Sequence, residues 1–153
     1  MEAEDFANKI FEIVNLLKEN DGVALCASQK KGFEKWLQVE LCGILSHYGT
    51  ILPEKNHIID IVFNDQWAIS LKDRKTKFYD GRSPIFENLN ELKEKPYSEY
   101  SKTCLVFLAF PSREITDDNV CIPTELDNHH RIHYHKDFKF KNNIEGRIWF
   151  VVG

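Results

Sequence analysis

An uninterrupted apolar run, TCLVFLAF at residues 103–110, constrains the fold of this chain more than any other feature. The run has the length of a β-strand and lacks the polar–apolar alternation that a half-exposed strand shows. Both faces of such a strand are expected to be buried, which is typical of sheets that carry helices on their two sides. The sequence therefore predicts an α/β domain.

Hydrophobic periodicity supplies the remaining elements. Helices are predicted over 6–17, 32–49 and 84–95. Strands are predicted over 50–52, 57–63, 67–72, 103–110, 131–141 and 147–152. The turn residues Asn20-Asp21-Gly22 are expected to end the first helix. The order α-α-β-β-β-α-β-β-β predicts one mixed β-sheet flanked by helices.

Length and composition indicate a single globular domain over residues 1–153. The net charge of −4 gives no global positive field, but residues 129–153 hold 5 basic and 2 acidic residues. Scattered cysteines without a CxxC pair favour reduced thiols over a disulfide framework. The N-terminal segment MEAEDFANKI is acidic and amphipathic, unlike a signal peptide, and no apolar run approaches the roughly 20 residues that span a bilayer. These features predict a soluble cytoplasmic protein.

Two acidic residues stand in apolar surroundings. On the second predicted helix, Glu40 falls near the centre of the apolar stripe, between Trp36 and Ile44. Asp60 is a single acidic residue within the apolar strand segment HIIDIVF. An unpaired buried carboxylate is costly, so each is expected to be paired or to bind a cation. The alternatives are a rotated helix or a buried basic partner for Glu40, and an edge or bulge position for Asp60.

The loop that follows the Asp60 strand decides which residue Asp60 faces on the next strand. A two-residue turn would place Asp60 opposite Ile69, whereas a three-residue loop, Asn64–Gln66, would place it opposite Ser70. Alternation puts Ser70 and Lys72 on one face of that next strand. We predict the three-residue loop, which brings Asp60, Ser70 and Lys72 to one face of the sheet. The alternative for Lys72 is a solvated position at the end of its strand.

The sequence resembles the PD-(D/E)xK, or restriction-endonuclease-like, nuclease superfamily. The resemblance rests on QVEL at 38–41, IDIV at 59–62 and ISLK at 69–72, in an α-β-β-β-α-β order that covers roughly residues 31–110. It implies a restriction-endonuclease-like mixed sheet flanked by helices. It also implies a metal-dependent phosphodiesterase acting on DNA, with RNA as the second choice. Because enzymes of this superfamily with so short a chain commonly act as dimers, a homodimer or larger assembly is implied as well.

Carried over position by position, the resemblance implies a role for each residue of the motif. Asp60 would be the principal ligand of Mg²⁺ or Mn²⁺, and the backbone carbonyl of Leu71 would add another. Lys72 would orient or activate the attacking water and offset charge in the transition state. Glu40 would bind a second metal ion or hold its water shell. Position 70, where the family has Glu or Asp, holds Ser70.

Ser70 removes one formal negative charge from the implied site, and three interpretations follow. Glu40 compensates from the helix, or Asp73 moves in, although alternation directs Asp73 to the opposite face. Otherwise the site is inactive, and the nuclease fold serves to bind nucleic acid or a protein partner. A further alternative is an unrelated α/β domain in which Glu40, Asp60 and Lys72 never meet.

Two groups of basic residues lie beyond the motif. The loop directly after the predicted site carries side chains that would hold phosphates without reading base sequence, unless the loop is simply solvated. These residues are Arg74, Lys75, Lys77 and Arg82. The second group is a histidine cluster, for which we weigh a transition-metal site, phosphate contacts and a solvated strand face. Its members are His129, His130, His133 and His135.

Overall fold

A computed structural model describes residues 1–29, 31–53, 59–73, 100–110 and 132–153. The helices are α1 (Ala3–Ile10), α2 (Ile13–Leu17), α3 (Asp21–Ser28) and α4 (Glu34–Leu45). The strands are β1 (Ile51–Pro53), β2 (Ile61–Phe63), β3 (Trp67–Asp73), β4 (Lys102–Ala109), β5 (His133–Lys139) and β6 (Glu145–Val152). The predicted helix over 84–95 lies outside the described residues.

The strands form one mixed sheet in the order β1-β2-β3-β4-β6-β5. β1, β2 and β3 run antiparallel to one another, β3 and β4 are parallel, and β6 is antiparallel to both β4 and β5. The chain is therefore an α/β domain with a mixed sheet and helices packed against it, as the sequence predicted. In the apolar run, every residue from Cys104 to Phe110 is buried, which confirms that both faces of β4 are covered.

The two faces of the sheet have different neighbours. One face packs against α1, α2, α3 and α4 in a large core that includes Ile69, Leu71 and Val106; we refer to it as the helix face. The opposite face, which we call the second face, carries a smaller cluster that includes Leu105 and Trp149. Residues at alternate positions of one strand belong to opposite faces, as the pleat requires.

The N-terminal helices differ from the prediction. The expected single helix over 6–17 is divided into α1 and α2. The residues expected to end it instead begin a further helix, because the Asn20 side chain accepts a hydrogen bond of 2.9 Å from the backbone N–H of Val23. Asparagine serves both as a helix terminator and as an N-cap, and only the following residues decide which role it takes. α3 was missed for this reason.

Candidate functional site

The β2–β3 hairpin sets the geometry of the candidate site. Phe63 pairs with Trp67, so the connecting loop is Asn64–Gln66, the three-residue loop that the sequence predicted. Asn64 and Asp65 have φ angles of 53° and 54°. Positive φ at both central residues is the condition for a type I′ turn, which Asn and Asp tolerate better than most residues. The side chains of the loop therefore fix the register of the hairpin.

Asp60 lies beside Ser70 at the end of the β2–β3 ladder. The backbone N–H of Asp60 donates to the carbonyl oxygen of Ile69 at 2.9 Å. Its carboxylate Oδ2 accepts from the backbone N–H of Leu71 at 2.7 Å. Because Ile69 also pairs with Ile61, two residues of one strand face one residue of the other, which is the arrangement of a β-bulge. The bulge position was one of the two alternatives for Asp60.

The alternation assumed for this segment is wrong. Ile59 packs in the same cluster as Val62, on the second face, although strict alternation would place residues three apart on opposite faces. The bulge at Asp60 accounts for the change of phase, because it inserts one residue into the strand. The direction of the Asp60 carboxylate therefore follows from its bond to the peptide of Leu71 and not from strand periodicity.

Helix α4 presents Gln38 to this segment. The side-chain amide of Gln38 donates to the carbonyl oxygen of Asp60 at 2.8 Å, and Gln38 is only 7% exposed. The bond satisfies the carbonyl of Asp60 at the point where the ladder ends, and it ties α4 to the bulge. Sequence reasoning missed this residue, although a glutamine directly after Leu37 on the buried stripe was the signal that could have found it.

The predicted position of Glu40 at the centre of the buried stripe is wrong. The buried residues of α4 are Leu37, Gln38, Leu41 and Leu45, and Glu40 is half-buried on the flank of that stripe. Trp36 and Ile44, which suggested the stripe's centre, are themselves only partly buried. Because these two large apolar residues were counted as buried, the predicted centre of the stripe was shifted toward Glu40.

Ser70 and Lys72 extend from β3 near the bulge. Ala68, two residues before Ser70, packs in the cluster of the second face. Alternation along β3 therefore assigns Ser70 and Lys72 to a common face, as predicted, but this is the face opposite the one against which α4, with Glu40, packs. Ser70 is 1% exposed, and its hydroxyl has no hydrogen-bond partner among the described residues. Lys72 is half-buried. A buried hydroxyl therefore stands where the superfamily has a carboxylate.

Asp73 does not supply the missing carboxylate. Its Oδ2 accepts a hydrogen bond from the backbone N–H of Phe33, the N-cap residue of α4. The same carboxylate lies so close to Gly32 that a Cβ there would approach Oδ2 to 2.8 Å. Asp73 thus stabilises the start of α4 on the helix face. Its carboxylate therefore does not replace the one that is missing at position 70.

Replacing Asp73 by alanine is expected to destabilise the fold by about 1–2 kcal/mol, because the N–H of Phe33 loses its acceptor at the start of α4. Asparagine keeps an acceptor oxygen and gives up only the charge–dipole attraction, so Asp73→Asn should cost about 0.3–1 kcal/mol. Urea unfolding monitored by circular dichroism measures both. Equal stability of Asp73→Ala and the unmodified protein would show that α4 does not depend on this cap.

The structure describes only some of the other residues that were predicted to function. The basic loop residues Arg74, Lys75, Lys77 and Arg82 lie outside the described residues, as do His129 and His130. Leu71 contacts Asp60 through its N–H, and the predicted role of its carbonyl is untested. His133 and His135 lie on β5, with their rings 5.8 and 4.8 Å from the ring of Trp149. Burial lowers the pKa of His135, and the nearby Arg147 adds to this effect.

Few groups at the bulge could bind a hard divalent cation. They provide one carboxylate, on Asp60, and one buried hydroxyl without a described hydrogen-bond partner, on Ser70. Mg²⁺ commonly keeps several waters and binds proteins through one or two carboxylates together with substrate phosphates. Within the described ranges no group of three or more His, Cys, Asp or Glu side chains could hold a metal ion. Much of the coordination would therefore have to come from water and substrate.

Comparisons of the chain with protein-family models, with curated proteins and with solved structures found no match.

Proposed function

We propose that the chain is a nuclease domain of the PD-(D/E)xK type that hydrolyses phosphodiester bonds in DNA slowly, with Mg²⁺ or Mn²⁺, at a site built on Asp60. The observation that supports it most is the position of Asp60, whose backbone N–H and carboxylate form hydrogen bonds with Ile69 and Leu71, on either side of Ser70. The aspartate of the motif and the strand that carries Ser70 and Lys72 are therefore in direct contact.

The topology gives the second support. Helix α4 is followed by the antiparallel strands β1, β2 and β3, and β4 then pairs with β3 in parallel. A parallel neighbour requires a crossover connection, usually a helix. The segment between β3 and β4 includes the helix predicted over 84–95. Apart from that helix, which lies outside the described residues, the elements follow the α-β-β-β-α-β order on which the resemblance depends.

The residues of the site would act on the substrate in distinct ways. Asp60, held in place by the Leu71 N–H, would hold the cation with one carboxylate, and the Ser70 hydroxyl would add a neutral oxygen ligand. A bound divalent cation supplies charge stabilisation at the phosphoryl group and activates water. Lys72, one pleat beyond Ser70, would orient the attacking water and offset the charge that develops on the phosphoryl oxygens. Glu40 lies on the flank of the buried stripe of α4, and the proposed mechanism does not require it to contact the cation.

A non-catalytic module that binds nucleic acid or a protein is the second candidate. One observation favours it: Ser70 is 1% exposed, so the position that should hold a ligand in contact with substrate is buried. The carboxylates of Asp60 and Asp73 also accept hydrogen bonds from backbone N–H groups. On this interpretation the acidic residues maintain the fold after loss of the catalytic carboxylate.

Cleavage of supercoiled plasmid and of labelled single strands distinguishes the two candidates. The nuclease proposal expects slow nicking that depends on Mn²⁺ or Mg²⁺ and stops in EDTA. Metal titration by calorimetry should show weak binding, with a Kd of about 1 mM, which corresponds to about 4 kcal/mol of binding free energy. Absence of both cleavage and metal binding would leave the binding module as the better explanation.

The cellular setting is part of the same proposal. Cys26, Cys42 and Cys104 are free thiols, and burial raises the pKa of Cys104, which makes that thiol less reactive. Among the described residues, no helix is both long and apolar enough to cross a bilayer. We propose that the protein acts in the cytoplasm. A homodimer or larger assembly also remains a proposal, and light scattering in solution would test it.

A further inference from the structure

A groove lined by lysines separates α2 from the β5–β6 hairpin. It has a volume of about 590 Å³, and its lining includes Lys18, which directly follows α2, and Lys136 and Lys139 of β5. All three lysines are exposed. None of them forms an ion pair with another described residue, whereas Lys141, just beyond the groove, is paired with Asp21 at 3.0 Å. Residues more than a hundred positions apart in the sequence thus contribute three cations to one lining, none of them ion-paired within the described part of the chain.

The groove is positively charged, although the whole chain has a net charge of −4. Its lining also contains Arg147 and two carboxylates, Asp137 and Glu145. Arg147 donates to Asp137 through Nε at 2.5 Å and Nη2 at 3.3 Å, so these two charges offset each other. That hydrogen bond from Arg147 holds the pKa of Asp137 below its usual value, so Asp137 is ionised at neutral pH. The lining keeps a net positive charge that comes from the lysines.

The groove lies at the end of the sheet that carries the candidate site. Asp73, directly after Lys72, is in register with Leu108 of β4, which pairs with Ile148 of β6, which pairs with Lys136 of β5. Neighbouring strands are about 4.8 Å apart, so Lys136 is about 14 Å from the end of β3 across the sheet. Leu108 and Ile148 belong to the core of the helix face, so Lys136 shares that face with Asp73, whereas Lys72 extends from the second face.

We propose that this groove binds the sugar–phosphate backbone of a nucleic acid on the side of the sheet that α2 covers. The inference rests on the proposed nuclease function for the identity of the ligand. Lysine ammonium groups attract phosphates as point charges without reading base sequence. A concave surface lined by lysines suits a strand better than a flat membrane. The groove therefore provides sequence-independent affinity for the backbone of the strand.

Fluorescence anisotropy with labelled oligonucleotides of about 16 residues tests the groove without catalysis. Binding is measured in EDTA, with single-stranded and duplex DNA, between about 50 and 200 mM salt. The triple variant Lys18→Gln, Lys136→Gln and Lys139→Gln should bind at least about tenfold more weakly. The slope of log K against log salt concentration should become less steep, because each lost phosphate contact removes about 0.7 from it for single strands and about 0.9 for duplex. Three lost contacts give a change of about 2.1 for single strands and about 2.7 for duplex. Circular dichroism checks that these exposed substitutions leave the fold intact.

Lys141→Gln is the matched control, since it removes a surface lysine of the same region that does not line the groove. It should bind like the unmodified protein. Three results would overturn the inference: an unmodified protein that binds no DNA, a triple variant whose affinity and salt slope equal those of the control, or binding to phosphatidylserine vesicles in place of DNA. Metal-dependent cleavage tests the nuclease proposal separately. Asp60→Asn should lose cleavage but still bind DNA at the groove.

Discussion

Replacing Ser70 by glutamate is expected to make the stability of the protein depend on divalent metal. The Ser70 side chain is buried and its hydroxyl has no described hydrogen-bond partner, so a carboxylate there would be poorly solvated. An uncompensated buried charge costs about 3 kcal/mol or more. For a chain of this length such a loss lowers the melting temperature by roughly 6–12 °C. We expect this loss in EDTA.

Added Mn²⁺ should reverse much of the loss. The new carboxylate would stand beside Asp60, and a second anionic oxygen increases both the charge and the number of ligands at the site. A ligand at a hundred times its Kd stabilises the folded state by about 2.7 kcal/mol. Thermal melts with and without Mn²⁺ measure this recovery. Calorimetric titration should show affinity at least about tenfold tighter than that of the unmodified protein, equivalent to about 1.4 kcal/mol.

Ser70→Gln is the control for size, because glutamine fills the same space without a charge. It should be destabilised as well, but Mn²⁺ should not restore it. If Mn²⁺ has the same effect on both variants, position 70 does not face a cation. Ser70→Glu should also cleave DNA faster than the unmodified protein. Adding Lys72→Ala to it should preserve metal binding and reduce cleavage, because Lys72 stabilises the transition state in the proposed mechanism.

Asp60→Asn is expected to abolish metal-dependent cleavage while preserving the fold. The amide oxygen of asparagine can still accept the hydrogen bond that Asp60 receives from the Leu71 N–H. Only the negative charge is lost, and a hard cation depends on that charge more than on the shape of the ligand. We expect cleavage to fall at least a hundredfold, equivalent to about 2.7 kcal/mol. The free energy of unfolding in EDTA should change by less than about 1 kcal/mol.

Asp65→Asn serves as the matched control, because it removes an aspartate charge from the exposed turn at the other end of the same hairpin. Asparagine tolerates the positive φ of that turn, so the fold should be unaffected. Metal titration, plasmid nicking and urea unfolding should be carried out on both variants. Unchanged metal affinity in Asp60→Asn together with a large loss of stability would identify Asp60 as a structural acceptor for the bulge and remove the basis for the nuclease proposal.

Local patterns were sufficient for much of the fold. The unbroken apolar run gave β4 and its burial on both faces, since a strand without polar positions has no face to expose. The residue types of Asn64–Gln66 indicated a turn between β2 and β3, and the wish to place Asp60 opposite Ser70 led to the three-residue loop that the structure has. Alternation along β3 directed Ser70 and Asp73 to opposite faces. These properties depend on a few neighbouring residues, so sequence alone could predict them.

Contacts between distant segments decided the rest. The bulge at Asp60 depends on hydrogen bonds to β3 and to Gln38 on α4, so strand periodicity could not place it. The flank position of Glu40 depends on how α4 rotates against the sheet. The lysines of the groove come from β5 and from the residue after α2, and they line one groove only after folding. Sequence by itself determined most of the strands and helices among the described residues, because those choices are largely local, although it missed α3. The tertiary structure decided where each charge lies, because burial and charge–charge distances exist only once the elements have packed.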